Sequence, residues 1–294
     1  MSAADWTSIE IPQDIRLVVA DMDGTLLDEH SEIPQGFWPM LARLRSRSVE
    51  FVPASGRQYA TLRAMFADKA AQVLDGGELS YIAENGNVVA IDGNIAEVHG
   101  VDTDVTRWTI DTVNASAAAG ESTMGLVLCG LRTAYVQRTD KPFLDEVGKY
   151  YAALEIVDDL HSVLEDVIAS NGESDTILKL AILDFDDAEA MAAEKLTPLK
   201  NDYQVVVSGK LWVDIMNATT NKKQGVEALQ RVLGVTAAQT AVFGDYLNDL
   251  QMLSAGQWSF AMGNAHPALK QAAHFVAPSN ADHGVLQVVD KLIA

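Results

Sequence analysis

The chain has 294 residues, of which 48% are hydrophobic, so it can bury one large core or two ordinary ones. It carries 41 acidic and 21 basic residues, and its formal net charge of -20 opposes binding to nucleic acid or to anionic membranes. Cys129 is the only cysteine, which excludes an intramolecular disulfide. The sequence shows no secretory leader pattern and no apolar run long enough to span a bilayer, so we expect a soluble cytoplasmic protein.

The first 86 residues alternate between strand and helix patterns. RLVVA at 16–20 is a continuous apolar run, typical of a strand that is buried on both faces of a parallel sheet. A helical spacing follows in Phe37, Met40, Leu41 and Leu44. VEFVPA at 49–54 predicts a second strand, and residues 55–57 after it are expected to open a second helix.

The middle of the chain has a different pattern. Two strands flank an Asp-Gly-Asn turn in residues 87–99, and residues 203–215 predict another hairpin around Ser208 and Gly209. Between the hairpins we expect helices near 103–119, 143–153 and 187–197, and strands near 125–137 and 177–184. Hairpins mixed with helices predict an inserted α+β domain, which we place at 87–210.

Alternation returns after this insert. One face of a helix is predicted by Val226, Leu229, Val232 and Leu233. Gly234 is expected to end that helix, and a strand follows at 240–243. A further helix around Leu250 and Leu253 precedes a strand at 258–263.

These patterns together predict an α/β fold. Residues 1–86 and 211–294 would form a doubly wound parallel-sheet core, and the α+β domain would interrupt it. In such a sheet, ligands bind outside the carboxyl ends of the strands. Four polar clusters occupy that position, namely Asp21 with Asp23, Ser55, Lys222, and Asp245 with Asp249.

The acidic pair in DMDGT allows two interpretations. Asp21 and Asp23 could form an ordinary turn that leads into a loop. Alternatively, two close carboxylates after a buried strand could share a cation that relieves their repulsion, and Mg²⁺ prefers oxygen ligands of this kind. Asp245 and Asp249 would then supply the other side of the metal site, because residues four apart at a helix start share a face.

The other two clusters also have two interpretations each. Ser55 and Gly56 could form an anion site at a helix start, or Ser55 could be a simple helix cap. Lys222 begins a helix, where a cation opposes the helix dipole, so a functional role competes with that of a solvated surface lysine. Lys179 in the insert could face a substrate or lie on the exposed side of a strand.

Seven motifs in order resemble those of the haloacid dehalogenase superfamily, and more narrowly its Cof-type phosphatases. They are DMDGTLLD, the strand ending at Ser55, ENG at 84–86, Lys222 before Gly225, GDYLND at 244–249, AMGNA at 261–265 and DHGV at 282–285. The resemblance covers residues 15–86 and 212–290. It implies a HAD-type core and makes the insert a C2-type cap.

The resemblance also implies a role for each matching residue. Asp21 would be the nucleophile and Asp23 the general acid and base. The substrate phosphate would be held by Ser55, Gly56, Lys222 and Asn248. Mg²⁺ would be bound by Asp21, Asp245, Asp249 and the backbone carbonyl of Asp23. Arg57, Asn85 and Asn264 could line the pocket, although Asn85 with Gly86 is equally a turn signal.

The sequence therefore predicts a Mg²⁺-dependent phosphatase of small phosphorylated metabolites such as sugar phosphates. A phosphotransferase or mutase that uses the same Asp21 intermediate is the first alternative. A non-enzymatic module that becomes phosphorylated on Asp21 is the second, and Asp23 argues against it because a neighbouring acid/base would hydrolyse the phosphoaspartate. No motif fixes the substrate or the oligomeric state.

Overall fold

The computed structural model describes residues 3–11, 13–120, 123–151, 153–208 and 210–294. The chain divides into two compact units, Met1–Val98 with Thr220–Ala294 and His99–Thr219. We call them the core unit and the inserted unit. The inserted unit begins and ends later than the expected insert at 87–210, by about a dozen residues or fewer at each end. The pairing of the strands near these limits explains the difference.

The first segment of the core unit contains short strands and two long helices. The strands are β1 (Ala4–Asp5), β2 (Leu17–Asp21), β3 (Glu50–Ala54), β4 (Tyr81–Ala83), β5 (Val88–Ile91) and β6 (Asn94–Val98). The helices are α1 (Phe37–Ser46) and α2 (Tyr59–Val73). The four apolar residues that predicted α1 are all buried in it, as their spacing requires.

The inserted unit combines a sheet with helices. Its strands are β7 (Met124–Gly130), β8 (Ala134–Val136), β9 (Leu154–Ile156), β10 (Ile177–Asp184), β11 (Tyr203–Val207) and β12 (Trp212–Asn217). Its helices are α3 (Thr103–Ala118), α4 (Lys141–Val147), α5 (Leu160–Ala169) and α6 (Ala188–Lys195). The sheet order is β11-β12-β10-β7-β8-β9, antiparallel except between β8 and β9.

The second segment of the core unit completes its sheet. The strands are β13 (Thr240–Gly244), β14 (Trp258–Ala261) and β15 (Phe275–Val276), and the helices are α7 (Lys222–Leu233), α8 (Pro267–Ala272) and α9 (Gly284–Leu292). The sheet order is β1-β15-β14-β13-β2-β3-β4-β5-β6. Pairing is parallel from β1 to β4, whereas β5 and β6 are antiparallel. This mostly parallel sheet confirms the predicted α/β fold class.

The hairpin at 87–99 was assigned to the wrong unit by its sequence. Its strands β5 and β6 extend the core sheet beyond β4, because Ile82 pairs with Val89. At the other limit, β12 pairs with β10 and β11 in the inserted unit, although the sequence placed residues 211–217 in the core. A hairpin signal fixes the local turn but not the sheet that the hairpin joins. In the second hairpin, the predicted turn residue Gly209 lies outside the described residues.

Several helix predictions are also wrong in detail. The helix after Ser55 begins only at Tyr59, so Ser55 is not its cap. The helix expected around Leu250 and Leu253 is replaced by two short 3₁₀ turns, Leu247–Asp249 and Met252–Ala255. Within α7, Val232 is 59% exposed, although its spacing placed it on the buried face. Gly234 does end α7, in the left-handed conformation that suits glycine.

The predicted strand at 125–137 is broken into β7 and β8, and α5 and β9 were not predicted. α5 buries Leu160 and Leu164 against the apolar core of the inserted unit. The sequence predicts no helix there, because the apolar pattern of α5 is short and is flanked by loop segments. Among the described residues, no helix has the length and apolar composition needed to cross a membrane.

The first residue of β3, Glu50, has a largely buried carboxyl group. Glu50 accepts a hydrogen bond from the Ser80 hydroxyl at 2.7 Å. Burial raises its pKa, and the charge of Asp92 adds to the shift while Arg45 opposes it. A carboxyl group whose pKa is higher in the folded than in the unfolded state stabilises the folded state while it is protonated. This contribution is complete below the unfolded-state pKa of about 4.5 and is lost as the pH rises through the folded-state pKa.

Glu50→Gln is therefore expected to stabilise the protein at pH 8 and to have little effect at pH 4.5. The amide keeps the acceptor for Ser80 but never ionises. Thermal unfolding of the variant and the wild type across this pH range measures the difference. Glu29→Gln, at an exposed position, is the control and should change the melting temperature little at any pH. A Glu50→Gln difference that did not grow with pH would contradict this explanation.

Candidate active site

A lysine ammonium group is buried between two aspartates at the carboxyl edge of the core sheet. Lys222 Nζ donates hydrogen bonds to Asp21 Oδ1 and, at 2.7 Å, to Asp249 Oδ1. The side chains of Lys222 and Asp249 are fully buried, and that of Asp21 is 9% exposed. This burial excludes the surface-lysine interpretation of Lys222.

Strand ends bring these groups together although Asp21 and Lys222 lie 201 positions apart in the chain. β2 ends at Asp21, and its neighbours β3 and β13 end directly before Ser55 and Asp245. All three strands run parallel, so their ends lie on the same edge of the sheet. Lys222 is the first residue of α7, whose cap Asn221 accepts a hydrogen bond from the Gln224 N–H at 3.3 Å.

Asp249 uses both carboxylate oxygens within the cluster. Oδ1 accepts from Lys222, and Oδ2 accepts from the backbone N–H groups of Asp245 at 3.1 Å and Tyr246 at 3.4 Å. Asp249 therefore holds both the lysine and the loop that carries Asp245. Asn248 next to it is exposed, so its expected contact with the substrate phosphate stays a prediction.

Burial dominates the titration behaviour of the cluster. It raises the pKa of Asp21 to about 7, with Lys222 opposing the shift and Asp249 adding to it. Burial opposes the charge of Lys222, but the two aspartates more than compensate and raise its pKa. The pKa of Asp245 is raised by burial and then by Asp249. Three carboxylates face one ammonium group, so the cluster carries an excess negative charge.

The geometry of these acids fits a divalent cation. Asp21, Asp245 and Asp249 each offer an oxygen atom within 4.8 Å of the others. Hard oxygen donors are the ligands that Mg²⁺ prefers. A divalent charge would offset the carboxylate repulsion, which adds to burial in raising the pKa values of Asp21 and Asp245. The residues present therefore suit the metal that the sequence predicts.

Asp23 lies outside this cluster and pairs with an arginine. Arg57 donates from Nη2 to Asp23 Oδ1 at 2.6 Å and from Nε to Asp23 Oδ2 at 3.1 Å. The side chains are 34% and 58% exposed, respectively. The two neighbouring aspartates thus have different environments, because one faces a buried lysine and the other a half-exposed arginine. A plain turn does not explain this arrangement.

Ser55 is buried, and its hydroxyl accepts a hydrogen bond from the Arg57 N–H at 3.1 Å. This bond orients the hydroxyl and leaves its proton to be donated. Because α2 begins at Tyr59, the predicted support from a helix terminus is wrong for Ser55 and Gly56. An anion here would contact a turn rather than the first turn of a helix.

Two residues of the loop that follows Asp21 lie against Asp245. The Thr25 hydroxyl donates to Asp245 Oδ1 at 3.3 Å. Gly24 has a φ of +77°, and a Cβ atom there would lie 2.8 Å from the Asp245 carboxyl carbon. The position requires glycine for its backbone conformation and for this close approach. Sequence reasoning assigned no such role to Thr25, although it stands within the DMDGT motif.

Asn264 acts on the same loop. Its Nδ2 donates to the Gly24 carbonyl at 2.8 Å, and its Oδ1 accepts from the Asn280 N–H at 3.1 Å. Asn280 Nδ2 in turn donates to the Leu27 carbonyl at 3.0 Å. The two asparagines therefore hold the backbone of the loop after Asp21. Asn280 was missed because it stands two residues before the recognised DHGV motif and matches no motif itself.

The last predicted pocket residue, Asn85, belongs to the core unit, and Lys179 is a separate candidate. Asn85 packs against Gly56 in the core unit. Lys179 belongs to the inserted unit, where its Nζ lies 3.5 Å from Asp214 Oδ2 and its side chain is 21% exposed. Lys179 is therefore a partly exposed lysine beside an aspartate.

Comparison with known proteins decides the family. The family model of haloacid dehalogenase-like hydrolases matches residues 18–289. The chain belongs to this family. It is 29% identical over 282 residues to 5-amino-6-(5-phospho-D-ribitylamino)uracil phosphatase YbjI of Escherichia coli, covering 95% of this chain and 96% of that protein.

Other relatives extend the comparison. The chain is 25% identical over 308 residues to 5-amino-6-(5-phospho-D-ribitylamino)uracil phosphatase YwtE of Bacillus subtilis, covering 95% and 99% of the two chains. The fold matches a haloacid dehalogenase-like hydrolase from Bacteroides thetaiotaomicron with a TM-score of 0.74 at 20% identity, covering 95% and 99% of the chains. The predicted Cof-type resemblance is confirmed, and the protein is a phosphoric monoester hydrolase acting on phosphorylated substrates.

Gly24→Ala is expected to weaken Mg²⁺ binding by about 10- to 100-fold, because the new Cβ displaces a proposed metal ligand. Isothermal titration with Mg²⁺ measures this loss. Gly234→Ala is the control, since Gly234 has a φ of +66° and, apart from its own chain neighbours, no described residue lies within 4 Å of the added Cβ. Both variants carry a backbone strain of about 1–2 kcal/mol, but only the first moves Asp245. Equal Mg²⁺ affinities in the two variants would contradict the assignment.

Proposed function

We propose that the protein hydrolyses phosphate monoesters of small metabolites, such as sugar phosphates, through a phosphoaspartate on Asp21 in a Mg²⁺-dependent reaction. The observation that carries the proposal is the contrast between two aspartates two residues apart. Asp21 is buried beside Lys222, Asp245 and Asp249, whereas Asp23 is held at the rim by Arg57. One environment suits a fixed nucleophile and the other a proton carrier in contact with water.

In the first step, an Asp21 carboxylate oxygen attacks phosphorus and forms the acyl phosphate bond. The bond between phosphorus and the leaving oxygen breaks, and Asp23 donates a proton to that oxygen. In the second step, Asp23 accepts a proton from water while the water oxygen attacks phosphorus. The Asp21–phosphorus bond breaks, so inorganic phosphate leaves and both aspartates return to their starting state.

Lys222 and Ser55 would hold the phosphoryl oxygens during both steps. Lys222 supplies a permanent charge, since Asp21 and Asp249 raise its pKa. Ser55 supplies a hydroxyl donor whose orientation is set by the Arg57 N–H, and the Gly56 backbone offers a further N–H. We keep Asn248 as a further candidate contact for the phosphate.

Mg²⁺ would be held by Asp21, Asp245, Asp249 and the backbone carbonyl of Asp23. When bound, it would neutralise negative charge on the transferring phosphoryl group. Without a cation, the carboxylates of Asp21, Asp245 and Asp249 would exceed the charge of Lys222 by two negative charges and would repel an anionic ester. The acidity of the pocket thus supports a requirement for metal.

The names of two relatives indicate which leaving groups to test. Two relatives carry the name of a phosphatase for 5-amino-6-(5-phospho-D-ribitylamino)uracil, in which the phosphate is borne by a ribityl chain. Polyol phosphates therefore stand beside sugar phosphates as the class to test. The decisive screen contains sugar phosphates, polyol phosphates and this ribityl compound, each with Mg²⁺.

Asp21→Asn is expected to reduce phosphate release by at least about 1,000-fold, because the amide is a poor nucleophile. Release of inorganic phosphate measures the rate, with chelator added to parallel samples to remove the metal. Asp68→Asn, an exposed position on α2, is the matched control and should retain the wild-type rate. Full activity in Asp21→Asn, or turnover that survives exhaustive chelation, would overturn the proposed mechanism.

The same screen distinguishes the alternative functions. A mutase would yield an isomeric phosphate and little inorganic phosphate. A signalling module would accumulate a long-lived phosphoaspartate on Asp21, which acid-quenched mass spectrometry would detect. Rapid release of inorganic phosphate excludes both.

Asp23→Asn is expected to slow hydrolysis of alkyl phosphates by about 10²- to 10⁴-fold, because the leaving alkoxide then receives no proton. The loss should be much smaller in the formation of phosphoaspartate from 4-nitrophenyl phosphate, whose phenolate leaves without protonation. Single-turnover rates with the two ester types measure this difference. Equal losses with both esters would show that Asp23 does not act as the general acid.

A further inference from the structure

A strained turn lies between the two groups proposed to hold the phosphate. Glu84, Asn85 and Gly86 follow β4 with φ values of +50°, +55° and +103°. Positive φ angles are unfavourable for residues other than glycine, and two consecutive examples are uncommon. Surrounding contacts must therefore hold this conformation in place.

One side of the turn is bonded to the loop that carries Ser55. The Asn85 N–H donates to the Ser55 carbonyl and the Glu84 N–H to the Arg57 carbonyl, both at 3.0 Å. The Asn85 amide also packs against Gly56, where an added Cβ would lie 3.0 Å from its Nδ2. The loop of Ser55 is thus held to the turn by backbone bonds and by side-chain packing.

The opposite side of the turn contacts the start of α7. A Cβ atom on Gly86 would lie 2.6 Å from the Asn221 carbonyl carbon and 3.1 Å from the Lys222 backbone nitrogen. These are backbone atoms, which cannot move aside as a flexible side chain can. α7 also approaches β4 closely, because a Cβ on Gly225 would lie 2.8 Å from the Ile82 side chain.

We propose that the Glu84–Gly86 turn is a positioning element that sets the separation between Ser55 and Lys222. This inference rests on the proposed function, in which these two residues hold the phosphoryl oxygens. Lys222 is buried between two aspartates, so a displaced helix start cannot be corrected by solvent or by a swing of the side chain. The left-handed backbone lets the turn contact the Ser55 loop and α7 at once, which supports keeping an unfavourable conformation here.

The main test compares the variant Gly86→Ala with the control variant Gly76→Ala. Gly76 belongs to the same unit and has a φ of +85°, but apart from its chain neighbours, the part of the chain that the structure describes has no atom within 4 Å of an added Cβ there. The two variants therefore share backbone strain, and only Gly86→Ala pushes on α7. We expect Gly86→Ala to weaken orthophosphate binding in the presence of Mg²⁺ and to lower kcat by roughly 10- to 100-fold. Gly76→Ala should lower the melting temperature alone.

Asn85 variants provide a second test if Gly86→Ala fails to fold. Asn85→Gly keeps the left-handed backbone and loses only the packing against Gly56, so it should bind orthophosphate more tightly than Asn85→Ala, which disturbs both. Asn171→Ala is the matched control, because Asn171 is exposed, has a φ of +53° and also precedes a glycine with positive φ. It should reduce only the melting temperature.

Titration calorimetry with orthophosphate separates this inference from the proposed reaction. Orthophosphate affinity equal to that of the controls in Gly86→Ala or Asn85→Ala would overturn the positioning role, even if the wild type hydrolyses esters. Selective loss of affinity in these variants would support the role, even if the wild type hydrolysed no ester and the proposed reaction failed. A wild type that binds no orthophosphate would also overturn the inference, because Ser55 and Lys222 would then form no phosphate site.

Discussion

The candidate active site depends on one buried ammonium group. Lys222 is fully enclosed, and removing its charge from water is tolerable only because Asp21 and Asp249 accept its hydrogen bonds. The same bonds fix Asp21 at the end of β2 and Asp249 beneath the loop of Asp245. If the ammonium charge were lost, two buried carboxylates would be left without their partner.

The excess of carboxylates around this ammonium group is a cost for folding and an advantage for binding. Burial and mutual repulsion raise the pKa values of Asp21 and Asp245, so part of the negative charge is unfavourable in the metal-free protein. A divalent cation would relieve that repulsion. In the proposed function, metal binding would therefore favour the ionised form of Asp21, although the protein carries a net charge of -20.

Close backbone approaches explain why the motifs contain so many glycines. Asp245 packs on Gly24, Asp249 on Gly244, and the start of α7 on Gly86. In each case a Cβ atom would collide with a proposed ligand or with the backbone that carries it. The donors are consequently held before a substrate arrives, which is the condition for electrostatic stabilisation without reorganisation.

The sequence by itself determined the fold class, the family and the six polar residues of the four clusters. Strand and helix periods depend on neighbouring residues, and the motifs occur as short continuous segments, so both can be recognised without coordinates. The sequence did not determine which sheet each hairpin joins, because the partner strands of β5 and β12 are chosen by non-local pairing.

Only the tertiary structure decided the burial and the hydrogen-bond partners of each polar residue. It separated Asp21, buried against Lys222, from Asp23, held by Arg57, although the two stand almost adjacent in the chain. It also brought the side chains of Asn264 and Asn280 into hydrogen bonds with the backbone of the loop after Asp21. Burial and hydrogen-bond partners arise from residues that are distant in sequence, and no local pattern encodes which of them will meet.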